Sequence, residues 1–228
     1  MNILGKTNKN KDKEIVKSIS QDKPNKLPTK LPTKLPNKLP TKLPNKNFKN
    51  TFKEILRNKK ITGSSEIEDY IKIRNTLQEY GLDKFYLEME KEKIFINGYI
   101  NTRNNPFAKM ILNRSNEKFF ECQDFILTSS LHNTYHKLLI PKKLEWYYFN
   151  ILTLTKEEIP ILKRMKFIAL TYVLEKRIKN YGLYFHCYPF NTVNTLHLHI
   201  VDLDQEPKFQ YNSNNLTLDD TIRALEIH

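Results

Sequence analysis

Two cysteines in 228 residues, Cys122 and Cys187, are too few for a disulfide framework, and their spacing matches no zinc knuckle. A reducing, intracellular setting, cytoplasmic or nuclear, is therefore expected. Long apolar runs are missing too. No stretch approaches 18 uninterrupted apolar residues, so no membrane span is expected. The opening Met1-Asn2-Ile3-Leu4-Gly5 passes at once into polar residues, which argues against a signal-peptide core there. Most of the chain also lacks an excess of either charge. The formal net charge is +13, yet residues 61–228 hold 21 basic and 21 acidic side chains. The excess sits in residues 1–60, with 17 Lys/Arg against four acids, so a basic face on the folded body is not expected.

What is present begins with repetition. Residues 26–45 are five tandem copies of Lys-Leu-Pro-Thr/Asn. A proline at every fourth position removes a backbone donor and biases its predecessor to extended geometry, so neither helix nor sheet ladder suits the run. Residues 1–60 are read as a disordered, Lys-rich tail, with polyproline II character over the repeats at 26–45. It serves as a spacer or a non-specific contact for nucleic acid, with a dedicated partner motif as the alternative.

Residues 61–104 read as a small α+β extension and 105–228 as the main domain. One helical turn is expected around Phe52, Ile55 and Leu56. Ser65 precedes an N-capped helix with early acids, ended by Gly81, and Phe85–Met89 and Lys93–Tyr99 read as a strand pair. In the main domain a short helix is predicted over Phe107–Leu112, then strands over Lys118–Cys122, Phe125–Ser129 and His136–Pro141. A long helix from Thr155 to about Lys179 follows, then strands over Leu183–His186 and 196–203, and a capped helix over Thr217–Leu225.

Leu196-His197-Leu198-His199-Ile200-Val201 carries the strongest chemical signal. In a strand, the two imidazoles share one face while Leu196, Leu198 and Ile200 share the other. The approach from Tyr184 to Thr195 is dense in hydroxyls, amides and aromatics, as a site-forming loop is. His197 and His199 with His136, His186 or Cys187 would suit an open zinc site, but the His-x-His pattern is short and permissive, and no metal or other cofactor is expected. The aromatic run Trp146–Phe149 is read as packing rather than as a base-stacking surface.

In order and separation these pieces resemble the histidine-triad (HIT) superfamily of nucleotide hydrolases and transferases, named for His-φ-His-φ-His-φ-φ. The corresponding run is Thr195-Leu196-His197-Leu198-His199-Ile200-Val201; the upstream strand is His136-Lys137-Leu138-Leu139-Ile140-Pro141-Lys142-Lys143; the preceding Phe-containing helix is Pro106–Ile111. The lead-in His186-Cys187-Tyr188-Pro189 is most similar to the Hint-like, aprataxin-like and scavenger mRNA-decapping branch. The resemblance covers residues 105–225.

It implies that His197 is the nucleophile, attacking an α-phosphorus to form a nucleotidyl-histidine that water then hydrolyses. His199 and His136 would donate to phosphate oxygens as charge develops, and Thr192 would contact the phosphate and leaving group. Asn191 and Asn180 would supply amide contacts, with His186 and Thr195 lining the substrate pocket. Thr195 stands where the first triad histidine belongs, Thr128 where many members hold the ribose with an acid, and Leu144 where a histidine often follows Pro-Lys-Lys. The zinc-binding Cys pair of some members is absent.

The fold expected is α+β, an antiparallel sheet of about five strands with one long helix packed across it, and family habit implies a homodimer. The activity implied is hydrolysis of a nucleotide phosphoanhydride or phosphoramidate, with a cap dinucleotide, a dinucleoside polyphosphate or an adenylylated end as substrate. The alternative is a catalytically silent nucleotide- or RNA-binding protein with a degenerate triad and a basic tail.

Overall fold

The computed structural model describes residues 48–90, 95–96, 99–100, 118–130, 133, 135–142 and 150–227, all within one unit of the chain. The Lys-Leu-Pro repeats, the helix expected at 107–112 and the aromatic run at 146–149 lie outside the described residues.

Phe48, Phe52 and Leu56 recur every fourth residue and so fall on one helical face. They make Phe48–Asn58 an 11-residue helix, α1, with all three side chains buried. It closes with a bond from the Ile61 N–H to the Leu56 carbonyl at 2.8 Å, and Lys60 takes φ 61° at the turn. This corrects the reading of residues 1–60 as one disordered tail: three apolar side chains at helical period outweigh the lysines around them.

The second helix, α2 (Ile67–Glu90), is two helical segments that meet at Gly81, whose φ of 139° and ψ of 90° are non-helical, so the first segment ends there as expected and another follows at once. Residues 85–89 are therefore helical, not the strand expected. Leu82, Phe85, Tyr86 and Met89 stand at i, i+3, i+4 and i+7, and that period prevails over the β propensity of Phe and Tyr. The strand pair falls instead between β1 (Phe95–Ile96) and β2 (Tyr99–Ile100).

Six further strands form one antiparallel open sheet: β3 (Lys118–Glu121), β4 (Phe125–Ser129), β5 (His136–Pro141), β6 (Tyr181–His186), β7 (Leu198–Asp202) and β8 (Asn215–Thr217). Their order is β3-β4-β5-β7-β6-β8. The α+β architecture is the one expected, with one strand more than the five or so read from the sequence. The addition is β8, whose Asn212-Ser213-Asn214-Asn215 approach has the composition of a loop.

Helix α3 (Ile159–Glu175) is entered through a capping box between Thr155 and Glu158. It buries Leu162, Met165, Ile168, Ala169 and Val173 among other side chains. It stops short of Lys179 because the Ile178 N–H bonds back to the Val173 carbonyl, with Arg177 at φ 57°. The last helix, α4 (Leu218–Ile227), is capped by Thr217, whose Oγ1 accepts from the Asp220 N–H at 3.0 Å.

The register sets the site. Thr128, Leu138, His199, Tyr184 and Thr217 lie at one level across β4, β5, β7, β6 and β8, and so on one face. His136 and His186 stand diagonally from His199 on that face. Leu127, Leu139 and Leu198 align on the other, where Leu127 meets Ile168 and Tyr172 of α3. One face of the sheet thus holds the long helix and the other holds the imidazoles.

Candidate active site

Four imidazoles converge on the face away from α3. The His199 ring centre lies 4.8 Å from that of His136, 4.1 Å from His186 and 4.7 Å from His197. His136 Nε2 and His199 Nδ1 share a hydrogen bond of 2.6 Å. The Nε2 of His199 is buried without a hydrogen-bond partner among the described residues.

His197 sits just before β7, and its Nδ1 lies 2.7 Å from the Thr195 carbonyl oxygen. A carbonyl only accepts, so Nδ1 carries the proton and Nε2 keeps its lone pair. Burial pushes the His197 imidazole down to about 4, against the opposing pull of the Thr195 carbonyl bond. Burial likewise brings His136 down to about 4, helped by His186 and Lys137, and holds His199 well below the usual range. His186 is lowered by burial and partly restored by its bond to Asn215. At neutral pH the cluster is therefore a set of uncharged imidazoles, able to act as nucleophiles and acceptors.

The loop from Cys187 to Leu196 forms one wall. Its base is Tyr188, fully buried, with Phe48, Phe52 and Phe85 packed around it at 6.1, 5.8 and 4.9 Å. Lys49 of α1 donates to the Asn191 carbonyl at 2.5 Å, and Asn191 Nδ2 donates to the Val193 carbonyl at 2.9 Å. Asn150 Nδ2 holds the Asn194 carbonyl. Asn191 Oδ1 and Thr195 Oγ1 are buried without hydrogen-bond partners among the described residues, which leaves two polar atoms for a ligand or water to satisfy.

The structure thus brings together His136, His186, His197 and His199, and links Asn191, Thr192 and Thr195 to them through this loop. Thr192 is exposed and Thr195 buried. Asn180 stands apart. It precedes β6 at the end remote from His186, donating to Asp204 Oδ1 at 3.2 Å and accepting the Leu203 N–H at 2.9 Å. The strand between places it roughly 13 Å along the sheet from the level of His199, so it braces a turn away from the imidazoles. Thr128, in the position where the resemblance puts an acid in many members, is fully buried inside β4.

Three contributors escaped sequence reasoning. Asn215 of β8 meets His186 Nε2 at 2.8 Å; Phe209 packs over three of the imidazoles; Lys49 reaches the loop from α1. Local pattern marked none of them, since each acts across a long stretch of chain. Among the described residues no group of three or more His, Cys, Asp or Glu is arranged to hold a metal ion.

Residues 102–214, just under half of the chain, match the family model described as "Scavenger mRNA decapping enzyme C-term binding". Among solved structures the chain is similar to a HIT family hydrolase from Clostridium thermocellum, at 23% identity and a TM-score of 0.37, over 45% of this chain and 92% of that one. It is also similar to a Hit-like protein involved in cell-cycle regulation from Bartonella henselae. There the identity is 25% and the TM-score 0.34, over 54% of this chain and 97% of that one. No curated protein matches the chain.

Proposed function

Since residues 102–214 belong to the histidine-triad superfamily, whose members process nucleotides, we propose that the chain hydrolyses a nucleotide phosphoanhydride or phosphoramidate through His197. The observation that carries this reading is the bond from His197 Nδ1–H to the Thr195 carbonyl. It leaves Nε2 as a lone pair on a neutral, buried ring, the form a nucleophile needs. Nε2 attacks the α-phosphorus, the bond to the leaving group breaks, and the leaving group takes a proton from solvent, while Nδ1 keeps its own proton on the nucleotidyl-imidazolium. Water then attacks the same phosphorus, gives up a proton to solvent and breaks the P–N bond, which returns His197 neutral.

His136 and His199 are assigned to the non-bridging phosphate oxygens, Thr192 to the leaving-group side, Thr195 to the phosphate through its hydroxyl donor, and Asn191, whose buried Oδ1 can only accept, to an N–H or O–H of the nucleotide. A cap dinucleotide, a dinucleoside polyphosphate and an adenylylated end all offer the same reacting centre. The test is intact-protein mass after brief mixing with adenosine phosphoramidate, diadenosine polyphosphate or a cap dinucleotide, quenched in alkaline denaturant because the P–N bond is acid-labile. The expected result is a nucleotide-sized adduct or steady hydrolysis, absent in His197→Ala. Neither one, with any substrate, overturns the reading.

One observation favours a second reading. A neutral hydroxyl at Thr195 replaces the first triad imidazole and cannot carry positive charge, which suits a nucleotide-binding protein without turnover. Nucleotide binding that survives in the absence of any adduct or product would select it.

A further inference from the structure

Asn215 is buried in β8, opposite His186 in β6. Its Nδ2 donates to the Phe209 carbonyl oxygen at 2.6 Å, and since that oxygen can only accept, the orientation of the amide is determined. Oδ1 therefore faces His186 Nε2 at 2.8 Å, and that nitrogen must carry the proton. The neutral ring is then left with Nδ1 as its acceptor.

Phe209 belongs to the short 3-10 turn Pro207–Tyr211 between β7 and β8. Its ring meets His136 edge-on at 5.0 Å, lies near-parallel to His186 at 6.0 Å and approaches His199 at 6.3 Å. Asn215 thus touches the cluster twice, once through His186 and once through the backbone that carries this ring. It also lies one residue past the segment that matches the family, so nothing in that match gives it a part.

We propose that Asn215 and Phe209 are positioning residues of the site: Asn215 locks His186 with its proton on Nε2 and anchors Phe209 as an apolar wall over His136, His186 and His199. The inference rests on the histidine cluster being the reactive centre. A wall on this side keeps water off the imidazole face and limits the rotamers of three rings at once. The 3-10 turn and β8 then complete the site rather than merely follow it.

The test combines side-chain NMR with kinetics. Long-range proton–nitrogen spectra of the full chain at neutral pH report which nitrogen of His186 is protonated. Hydrolysis of adenosine phosphoramidate gives kcat and KM, and a thermal melt follows folding. Wild type should show His186 protonated on Nε2. Asn215→Leu should show a mixture of tautomers, with kcat down about tenfold or more and KM little changed. Phe209→Leu should lose kcat while keeping the tautomer.

Asn215→Asp, nearly isosteric, still accepts from His186 but places a carboxylate beside it, so His186 should titrate at higher pH. Among the described residues His199 of β7, Phe209 of the turn and Asn215 itself pack against His186, and the titratable neighbours that also interact with it are His136 of β5 and His197, both uncharged at neutral pH. Wild-type His186 protonated on Nδ1 would overturn the proposal. So would an Asn215→Leu protein that keeps both tautomer and kcat and loses only melting temperature. If that variant does not fold, the wild-type tautomer and the Asn215→Asp titration decide. If no nucleotide is turned over, the hydrolase reading fails, and the same two spectra still judge the role of Asn215.

Discussion

Lowering the pH from 7 to 5 should unfold this protein more readily than its carboxylates alone predict. His197 is 7% exposed and titrates at about 4 in the folded chain, against 6.5 for a free histidine. The folded state therefore binds fewer protons than the unfolded one, so stability falls as pH falls. The loss begins near pH 6.5 and is complete near pH 4. For one such group, linkage gives about 2 kcal/mol by pH 5. His199, equally buried and held well below the usual imidazole range, adds to the loss in the same direction, against a typical domain stability of about 5–15 kcal/mol. His136 and His186, half-buried, add less in the same direction. Urea unfolding followed by circular dichroism at pH 7, 6 and 5 measures this, with His197→Asn as the comparison. The variant should lose about 2 kcal/mol less than wild type between pH 7 and 5. Equal losses in the two proteins, or a wild-type stability flat across the range, would refute the claim that these rings are buried uncharged.

Other perturbations test other contacts. A bound nucleotide phosphate favours charged imidazoles, so calorimetry at pH 6 in buffers of different ionisation enthalpy should show net proton uptake, reduced in His199→Asn; no uptake would place the phosphate elsewhere. Phe52→Ala removes a fully buried ring from the stack on Tyr188 and should cost about 3–5 kcal/mol in denaturant unfolding, with faster amide exchange across residues 188–195. Gly63→Ala puts a methyl 2.4 Å from the Ser213 carbonyl oxygen, which is already held by the Ser64 and Ser65 N–H groups at 2.7 and 2.9 Å. It should cost about 2 kcal/mol, visible as a lower melting temperature. Arg164→Ala strips the cation from the largely buried Asp124 carboxylate and should cost about 2 kcal/mol, with Arg164→Lys intermediate.

The parts of the fold written in local period were legible. Alternation around His197 and His199 separated the imidazole face from the leucine face, and helical spacing found α3 and the cap of α4. Leu82, Phe85, Tyr86 and Met89 carry the same period in the second half of α2, where the non-helical glycine before them and the β propensity of Phe and Tyr mask it. The bond from His197 to the Thr195 carbonyl depends on backbone path, which spacing does not encode. Asn180 enters through the family resemblance alone, and strand register carries it to the end of β6 away from the imidazoles. Asn215 and Phe209 lie in polar, loop-like sequence, and only the pairing of β8 with β6 brings them to the cluster.

Helix α1 alters what a shortened version of this protein would report. Lys49 and Asn191 are 142 residues apart in the chain yet in contact, and Phe48 and Phe52 pack against the tyrosine beneath the same loop. A chain begun at residue 61, the natural cut for removing a basic tail, would also remove the floor of the reactive loop. Its silence toward a nucleotide would be misread as evidence that the lysines bind substrate. A cut placed before Phe48 removes the repeats and leaves the loop supported, so the contribution of the charge can be measured separately from that of the helix.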